Sequence, residues 1–359
     1  MNDWSNNSIC KLLAIELPII QAPMAGSAFS DLAIAVATAG GLGSLACAML
    51  SADQIKQHVA LIRAKTSAPI NLNFFCHQSP PINTEREKVW QRALHNYYLE
   101  FNIDQDAPYA PSSRAPFDSA VCTVVEEIKP SVVSFHFGLP ATELIERVKA
   151  TGAKTLSSAT TVDEARWLEQ RGCDAIIAMG VEAGGHRGMF LSDDIATQVG
   201  TFALVPQIAD AVRVPVIAAG GIADARGIAA AFALGASAVQ IGTAYLFTPE
   251  AATAPLHRVA LRTAKENQTA LTNVFTGRPA RGIVNRAMRE LGPLSNVAPE
   301  FPLAGGALAA LRAKAELLGS SDFSPLWAGQ AVGLGREISA FELTQQLAGE
   351  ALNYLKRAD

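Results

Sequence analysis

The chain has 359 residues, of which 49% are hydrophobic and 17% are charged, and its formal net charge is −4. This length is ample for a large buried core and exceeds what one ordinary domain needs. The near-neutral balance, without runs of like charge, offers no basic surface for nucleic acid and no electrostatic patch for a membrane. We therefore expect a protein that acts on small molecules. Its oligomeric state is left open by the sequence.

The five cysteines are scattered, odd in number and free of any CxxC spacing. That pattern argues against a disulfide framework or a zinc site and favours a reducing compartment. The first seven residues lack the basic and apolar segments of a secretion signal. The uncharged stretch 32–50 contains Gly40, Gly41 and Gly43, which disfavour a membrane-spanning helix. We expect a cytoplasmic protein without a metal.

Short apolar strands alternate with alanine-rich helical stretches along most of the chain. The predicted strands are Ile19–Ala22, Gly43–Ala46, Ile70–Phe74, Val132–Phe135, Thr155–Ser158, Ala175–Met179, Val216–Ala219 and Ala238–Ile241. Helical patterns between them include Leu32–Ala39, Ala52–Ala64, Ala141–Ala150, Val162–Arg171 and Ala225–Leu234. Continuous apolar strands indicate a parallel sheet covered by helices on both faces. Eight such units predict an α/β fold of the (β/α)8 TIM-barrel type, with an open doubly wound sheet as the alternative.

Two segments interrupt the barrel rhythm. Residues 77–118 combine a charged helical pattern at Thr84–Glu100 with prolines at 80, 81, 108, 111 and 116, which is typical of a lid. In residues 249–335, helical patterns are broken by the prolines at 279, 293, 299 and 302. We predict a barrel of residues 1–76 and 119–248, a smaller helical cap of 77–118 and 249–335, and a C-terminal helix within 336–359 that packs on the barrel.

A glycine-rich loop with one histidine and one arginine follows the sixth predicted strand. It runs Gly180-Val181-Glu182-Ala183-Gly184-Gly185-His186-Arg187-Gly188. Glycine permits positive φ and lets backbone amides approach a ligand closely. The alternative is an ordinary strand-to-helix turn with a solvated histidine. Arg187 is predicted to pair either with a phosphate or with a surface carboxylate.

The last two predicted strands also end in glycine-bearing loops, Gly220-Gly221 and Gln240-Ile241-Gly242-Thr243. Barrels of this type often hold phosphate in these loops, where backbone amides and a helix N-terminus form an anion site. Thr243 adds a hydroxyl. The alternative is a pair of tight turns in which glycine only relieves strain.

Other candidates carry weaker signals. Asn71 and Asn73 flank the third strand, where one side chain could reach the barrel mouth, and His136 ends the fourth strand and points the same way. A structural role is the alternative for each of the three. His77 begins the predicted lid and is ambiguous. The remaining histidines are expected at the surface, namely His58, His95 and His257.

Taken together, the motifs resemble the nitronate monooxygenase family, formerly called 2-nitropropane dioxygenases, and specifically its bacterial class I group. The matching segments lie in order along nearly the whole chain. They are Pro18–Gly26, Gly40–Ser44, Glu182–His186, Ala218–Ile222, Gln240–Thr243, Phe275–Gly282 and Leu326–Gln330.

The resemblance implies FMN in the barrel mouth and oxidation of alkyl nitronates by O2 to a carbonyl compound and nitrite, with propionate 3-nitronate as the substrate. It implies His186 as the catalytic residue. The implied flavin contacts are Ala22, Pro23, Met24, Asn71, Met179, Gly184, Gly221, Gln240, Ile241, Gly242 and Thr243. Met179 is a departure, because many relatives carry a glutamine there that hydrogen-bonds the flavin. Ser27 stands where a second glycine is often found.

Two other functions remain open from the sequence. An NAD(P)H-dependent flavin reductase of the same superfamily, such as an enoyl-acyl-carrier-protein or quinone reductase, shares the Glu182–His186 loop. The cap segments around Arg278 and Trp327 favour the oxygenase. A non-catalytic phosphate- or flavin-binding barrel is the alternative from another class.

Overall fold

The structure is a computed structural model that describes residues 4–81, 83–104 and 114–358. Two of the prolines in the predicted lid, Pro108 and Pro111, lie outside the described residues.

Eight parallel strands form a barrel. In chain order the strands of the protein are β1 (Ile19–Gln21), β2 (Gly43–Ala46), β3 (Ile70–Phe75), β4 (Val132–His136), β5 (Lys154–Ala159), β6 (Ala175–Met179), β7 (Gly185–His186), β8 (Val216–Ala219), β9 (Ala238–Ile241), β10 (Thr269–Thr272) and β11 (Ala280–Ile283). The barrel order is β1-β9-β8-β6-β5-β4-β3-β2. A parallel bridge between Ile20 and Leu42 joins β1 to β2 and closes the barrel. The predicted (β/α)8 fold is confirmed, and every predicted strand is present within two residues at either end.

Helices cover the outside of the barrel, and further helices lie in the two inserted segments. They are α1 (Ser8–Leu13), α2 (Ser30–Thr38), α3 (Ala52–Arg63), α4 (Thr84–Glu100), α5 (Ser119–Ile128), α6 (Thr142–Ala150), α7 (Val162–Gln170), α8 (Thr201–Ala211), α9 (Ala225–Ala233), α10 (Pro255–Thr263), α11 (Arg286–Leu291), α12 (Gly305–Leu317) and α13 (Ala340–Ala358). The C-terminal helix α13 packs on α9 and α2 of the barrel wall. No helix in the described ranges is both long enough and apolar enough to span a bilayer.

The two inserted segments share one hydrophobic cluster. Trp90 and Leu94 of α4 are buried in it with Leu308 and Leu311 of α12. The indole Nε1 of Trp90 donates to the backbone oxygen of Ala304 at 3.1 Å. Because the residues in contact are more than 200 positions apart, the two insertions fold against each other. The division into barrel, cap and terminal helix stays a prediction.

A small sheet that the sequence did not indicate joins the second inserted segment to the glycine loop after β6. Strand β11 pairs antiparallel with β10 and with the two-residue strand β7. In this pairing Ala280 lies opposite His186, and Arg187 N donates to Pro279 O at 2.8 Å. The cap is therefore fastened by backbone hydrogen bonds to the loop that carries His186.

Candidate active site

One cavity of about 640 Å³ lies at the carboxyl ends of the barrel strands, beneath the cap. Its volume is within the range of roughly 300–1,000 Å³ that is typical of ligand pockets. Residues of the loops after β1, β6, β8 and β9 line the cavity, together with residues of α10, α12 and the segment 324–331. This is the end of a TIM barrel where ligands bind.

The partly buried carboxylate of Glu182 shapes the loop after β6. Both oxygens of Glu182 accept from Thr201 N at 2.9 Å, and Thr201 Oγ1 donates to Glu182 Oε2 at 2.8 Å. Thr201 is the first residue of α8, so Glu182 occupies the anion position of that helix. Gly220 fits beside this clamp with a φ of +116°, and a Cβ there would lie 2.8 Å from Thr201 Oγ1. An external phosphate is therefore directed to the neighbouring loops and not to α8.

The loops after β6, β8 and β9 bring glycine backbone to the cavity. A Cβ on Gly184 would lie 2.6 Å from Gly329 N, so only glycine fits between this loop and the cap. The N–H groups of Gly221 and Thr243 make no hydrogen bond with other described residues. Thr243 Oγ1 accepts from Gly329 N at 2.8 Å, which leaves its hydroxyl proton free to donate. These groups together offer donors for an anion.

His186 lies where the glycine loop meets the cap. Its Nε2 is 2.9 Å from Thr276 Oγ1, and its ring is enclosed by aromatic rings whose centroids lie 5.2–6.2 Å away. Those rings belong to Phe75, Phe137, Phe301 and Trp327. Its Nδ1 has no partner among the described residues, while its side chain lines the cavity. The free nitrogen is thus available to a ligand.

Burial keeps the His186 imidazole neutral. Desolvation lowers its pKa well below the usual value, and the nearby charges of Arg114 and Arg278 lower it further. The ring can therefore offer a hydrogen bond near neutral pH, but not a positive charge. Positive charge at this site comes from the guanidinium groups instead.

His136 supports the backbone at His186. Its Nε2 lies 3.2 Å from the backbone oxygen of His186, and its Nδ1 lies 2.6 Å from Ser158 Oγ. A carbonyl only accepts, so Nε2 carries the proton and Nδ1 accepts from the serine hydroxyl. Burial lowers the pKa of His136 to about 3, which fits a neutral ring. His136 does line the cavity, as its place at the end of β4 predicted.

Arg187 is fully buried and faces away from the cavity. It donates to Gln198 Oε1 at 2.8 Å and to the backbone oxygens of Gly180 and Met179 at 2.7 Å. Both predicted partners, a phosphate and a surface carboxylate, are therefore wrong. The guanidinium instead satisfies carbonyls at the end of β6, where the strand turns into the glycine loop.

The structure brings most of the predicted contact residues to the cavity wall. The residues that line it are Ala22, Pro23, Met24, Met179, Gly184, Gly221, Gln240, Gly242 and Thr243, together with His186. Two do not line it. Asn71 is fully buried and donates to Ser44 Oγ at 3.1 Å, and the Ile241 side chain belongs to the barrel core. Asn73 does reach the cavity wall and donates to Ser134 Oγ at 3.0 Å.

His257 was expected at the surface, and that expectation is wrong. It lines the cavity from α10, its Nε2 is buried without a partner among the described residues, and burial lowers its pKa to about 4. Arg114, Arg312 and Thr276 also lie at or beside the site and were not predicted. Helical periodicity could not reveal them, because each comes from an insertion whose packing on the barrel is a long-range event. Among the described residues no cluster of potential metal ligands is present.

Known proteins match this chain over nearly its whole length. A family model described as nitronate monooxygenase matches residues 6–350. A nitronate monooxygenase of Pseudomonas aeruginosa is 40% identical over 342 residues, covering 95% of this chain and 97% of that protein. One of Paraburkholderia phytofirmans is 41% identical over 346 residues, covering 96% and 94%.

Solved structures also match this chain over nearly its whole length. A nitroalkane oxidase from Streptomyces ansochromogenes matches with a TM-score of 0.89 at 38% identity, covering 98% of this chain and 99% of that one. FabK from Thermotoga maritima matches with a TM-score of 0.76 at 30% identity, covering 98% of each chain. The family match, the identity and the shared barrel agree, and the chain belongs to the nitronate monooxygenase family of flavin-dependent oxidoreductases.

Proposed function

We propose that the protein is an FMN-dependent nitronate monooxygenase that converts alkyl nitronates and O2 to a carbonyl compound and nitrite, with propionate 3-nitronate as a substrate. One observation carries the proposal. A single cavity runs from the open amides of the Gly221 and Thr243 loops to the imidazole of His186. An anion-binding end and a hydrogen-bonding end thus share one space.

The residues present fit a flavin monophosphate. The backbone N–H groups of Gly221 and Thr243, with the Thr243 hydroxyl, would hold the phosphate oxygens. The buried Gln240 Oε1 has no partner among the described residues and would accept from a hydroxyl or N–H group of the cofactor. Met179, 8% exposed on the cavity wall, would supply an apolar contact without a hydrogen bond.

Bound FMN would supply the electron transfer between nitronate and O2. The protein's own contribution is binding and exclusion of water. Arg114 and Arg278 give the His186 end a positive field, which attracts an anionic nitronate. Arg278 is held over the Phe137 ring, with its central carbon 4.2 Å from the ring centroid. The neutral His186 would hydrogen-bond the nitronate, and the surrounding aromatic rings keep that bond away from water.

An anaerobic mixing experiment tests the proposal. The purified holoprotein is mixed with propionate 3-nitronate or with NADH, and the flavin absorbance is followed. We expect rapid bleaching by the nitronate and none by NADH, followed by nitrite release when O2 is admitted. Rapid bleaching by NADH would favour the reductase alternative. A bound flavin that neither compound bleaches would identify a non-catalytic binding barrel.

We also propose that the enzyme acts in the cytoplasm on small molecules, without nucleic acid or membrane partners. The five cysteines are free thiols, four of them buried, which suits a reducing compartment. The cap of residues 77–118 and 249–335 would act as the cover of the barrel of residues 1–76 and 119–248.

A further inference from the structure

The hydroxyl of Thr276 lies 2.9 Å from Nε2 of His186, although 90 positions separate the two residues in the chain. We propose that Thr276 is a positioning residue: it donates to Nε2 and so holds His186 as the tautomer whose Nδ1–H faces the cavity. The inference rests on the proposed function, because it takes a nitronate oxygen as the group that this N–H meets.

The position of the Thr276 hydroxyl is fixed by a tight turn in the cap. Gly277 N donates to Asn273 O at 2.7 Å, and Gly277 has a φ of +89°. A Cβ on Gly277 would lie 2.1 Å from Pro299 O, so the turn is tightly enclosed. Thr276 itself is 1% exposed. Its side chain is therefore held toward His186 and does not rotate freely at a surface.

Distances favour one direction for this hydrogen bond. The single proton of the Thr276 hydroxyl can go to His186 Nε2 at 2.9 Å or to Arg278 O at 3.4 Å. The longer separation is near the limit for a hydrogen bond, so the proton is better placed on the path to Nε2. An Nε2 that accepts leaves the ring proton on Nδ1.

The ligand favours the same tautomer. His186 lines the cavity, and its Nδ1 has no partner among the described residues although the atom is not fully enclosed by protein. An anionic oxygen needs a donor there, and an unprotonated Nδ1 would present a lone pair instead. Since burial keeps the ring neutral, the only proton that His186 can direct at the anion is the one on Nδ1. Thr276 secures that proton by satisfying the opposite nitrogen.

The first test measures anion binding without turnover. Nitrate, a planar anion with nitronate-like oxygens, is titrated into FMN-loaded protein, and the change in flavin absorbance gives its dissociation constant. We expect Thr276→Val to weaken nitrate binding about tenfold, the loss of one hydrogen bond, while Thr276→Ser stays close to wild type. Thr253→Val is the matched control, because it removes a buried hydroxyl that donates to Leu246 O at 3.0 Å. Unchanged nitrate affinity in Thr276→Val would overturn the proposal.

The second test reads the tautomer directly. Holoprotein with ¹⁵N-labelled histidine is studied by NMR, and the His186 signals are assigned by their loss in His186→Asn. We expect a protonated Nδ1 and an unprotonated Nε2 in wild type and in Thr276→Ser. A protonated Nε2 in wild type would refute the assignment. Neither readout depends on nitronate oxidation, so an enzyme inactive on nitronates would contradict the proposed function and leave this result standing.

Discussion

His136 Nε2 donates to the backbone oxygen of His186 at 3.2 Å, linking the end of β4 to the glycine loop after β6. The two histidines share an aromatic enclosure with Phe75 and Phe137. Burial lowers the pKa of both imidazoles, so both rings are neutral. The site is therefore built from uncharged imidazoles and charged guanidiniums, and its behaviour with pH follows from that division.

Acid should destabilise the protein through these buried histidines. Burial lowers the pKa of His136 to about 3 in the folded chain, whereas an unfolded histidine titrates near 6.5. Below pH 6.5 the unfolded state binds a proton that the folded state refuses, so stability is complete above that pH and falls as the pH drops toward 3. His136 alone should cost about 2 kcal/mol between pH 6.5 and 5.

Urea unfolding at pH 7 and at pH 5 measures this effect. His136→Gln should show a smaller loss between the two pH values than wild type, because one of the buried groups that resists protonation is gone. An equal loss in both proteins would contradict the assignment to His136. The lowered pKa values of His186 and His257 act in the same direction, so the variant should retain part of the acid sensitivity.

Replacing His186 by Asn should separate cofactor binding from catalysis. The amides proposed to hold the phosphate belong to the Gly221 and Thr243 loops and not to His186, so FMN content should be unchanged. Asparagine has an amide donor but no counterpart of Nε2 for Thr276 to hold, so that donor is not oriented toward the ligand. The rate of flavin reduction by propionate 3-nitronate should therefore fall about a hundredfold, the usual effect of losing one oriented hydrogen-bond donor from an active site. Anaerobic stopped-flow absorbance measures the rate. Reduction at the wild-type rate would remove His186 from the mechanism.

Arg187 should matter for folding and not for chemistry. Arg187→Ala removes the guanidinium donors from the backbone oxygens of Met179 and Gly180, of which Gly180 O keeps a bond from Ala183 N, and it opens a cavity. The free energy of unfolding should therefore fall by about 3 kcal/mol. Arg262→Ala is the control, since that exposed side chain pairs with Glu337 at the surface and should change stability by less than about 1 kcal/mol. Equal effects in urea unfolding would show that Arg187 is not a structural anchor.

Adding one methyl group at Gly184 should disturb the cofactor site. The new Cβ would meet the backbone of Ala328 and Gly329 at 2.6 Å, so the loop must move away from the cap segment that holds Thr243. We expect the dissociation constant for FMN, measured by fluorescence quenching, to rise at least about tenfold. Gly349→Ala, where nothing lies within 4 Å in helix α13, should bind FMN as wild type does. Normal FMN binding by Gly184→Ala would mean that this loop is not part of the cradle.

The barrel could be predicted from the sequence because its signals are local. Each buried parallel strand is a continuous apolar run, as in Ala175–Met179, and each is followed by a helical period. The glycine loops could be found for the same reason. Gly221 has a positive φ, a local backbone requirement that the residue type itself reveals. The element order then placed those loops at one end of the barrel.

The surroundings of His186 could not be predicted in this way. Thr276, His257 and β11 come from an insertion. The hydrophobic periodicity of an insertion does not indicate which of its residues will contact which loop of the barrel. Arg187 shows the same limit, because its residue type was visible but its direction was not. Sequence alone determined the barrel, its glycine loops and the histidine among them, since backbone sterics and hydrophobic period act over a few residues. Only tertiary structure decided what each nitrogen of that histidine contacts, because hydrogen bonds and desolvation depend on groups brought together by long-range packing.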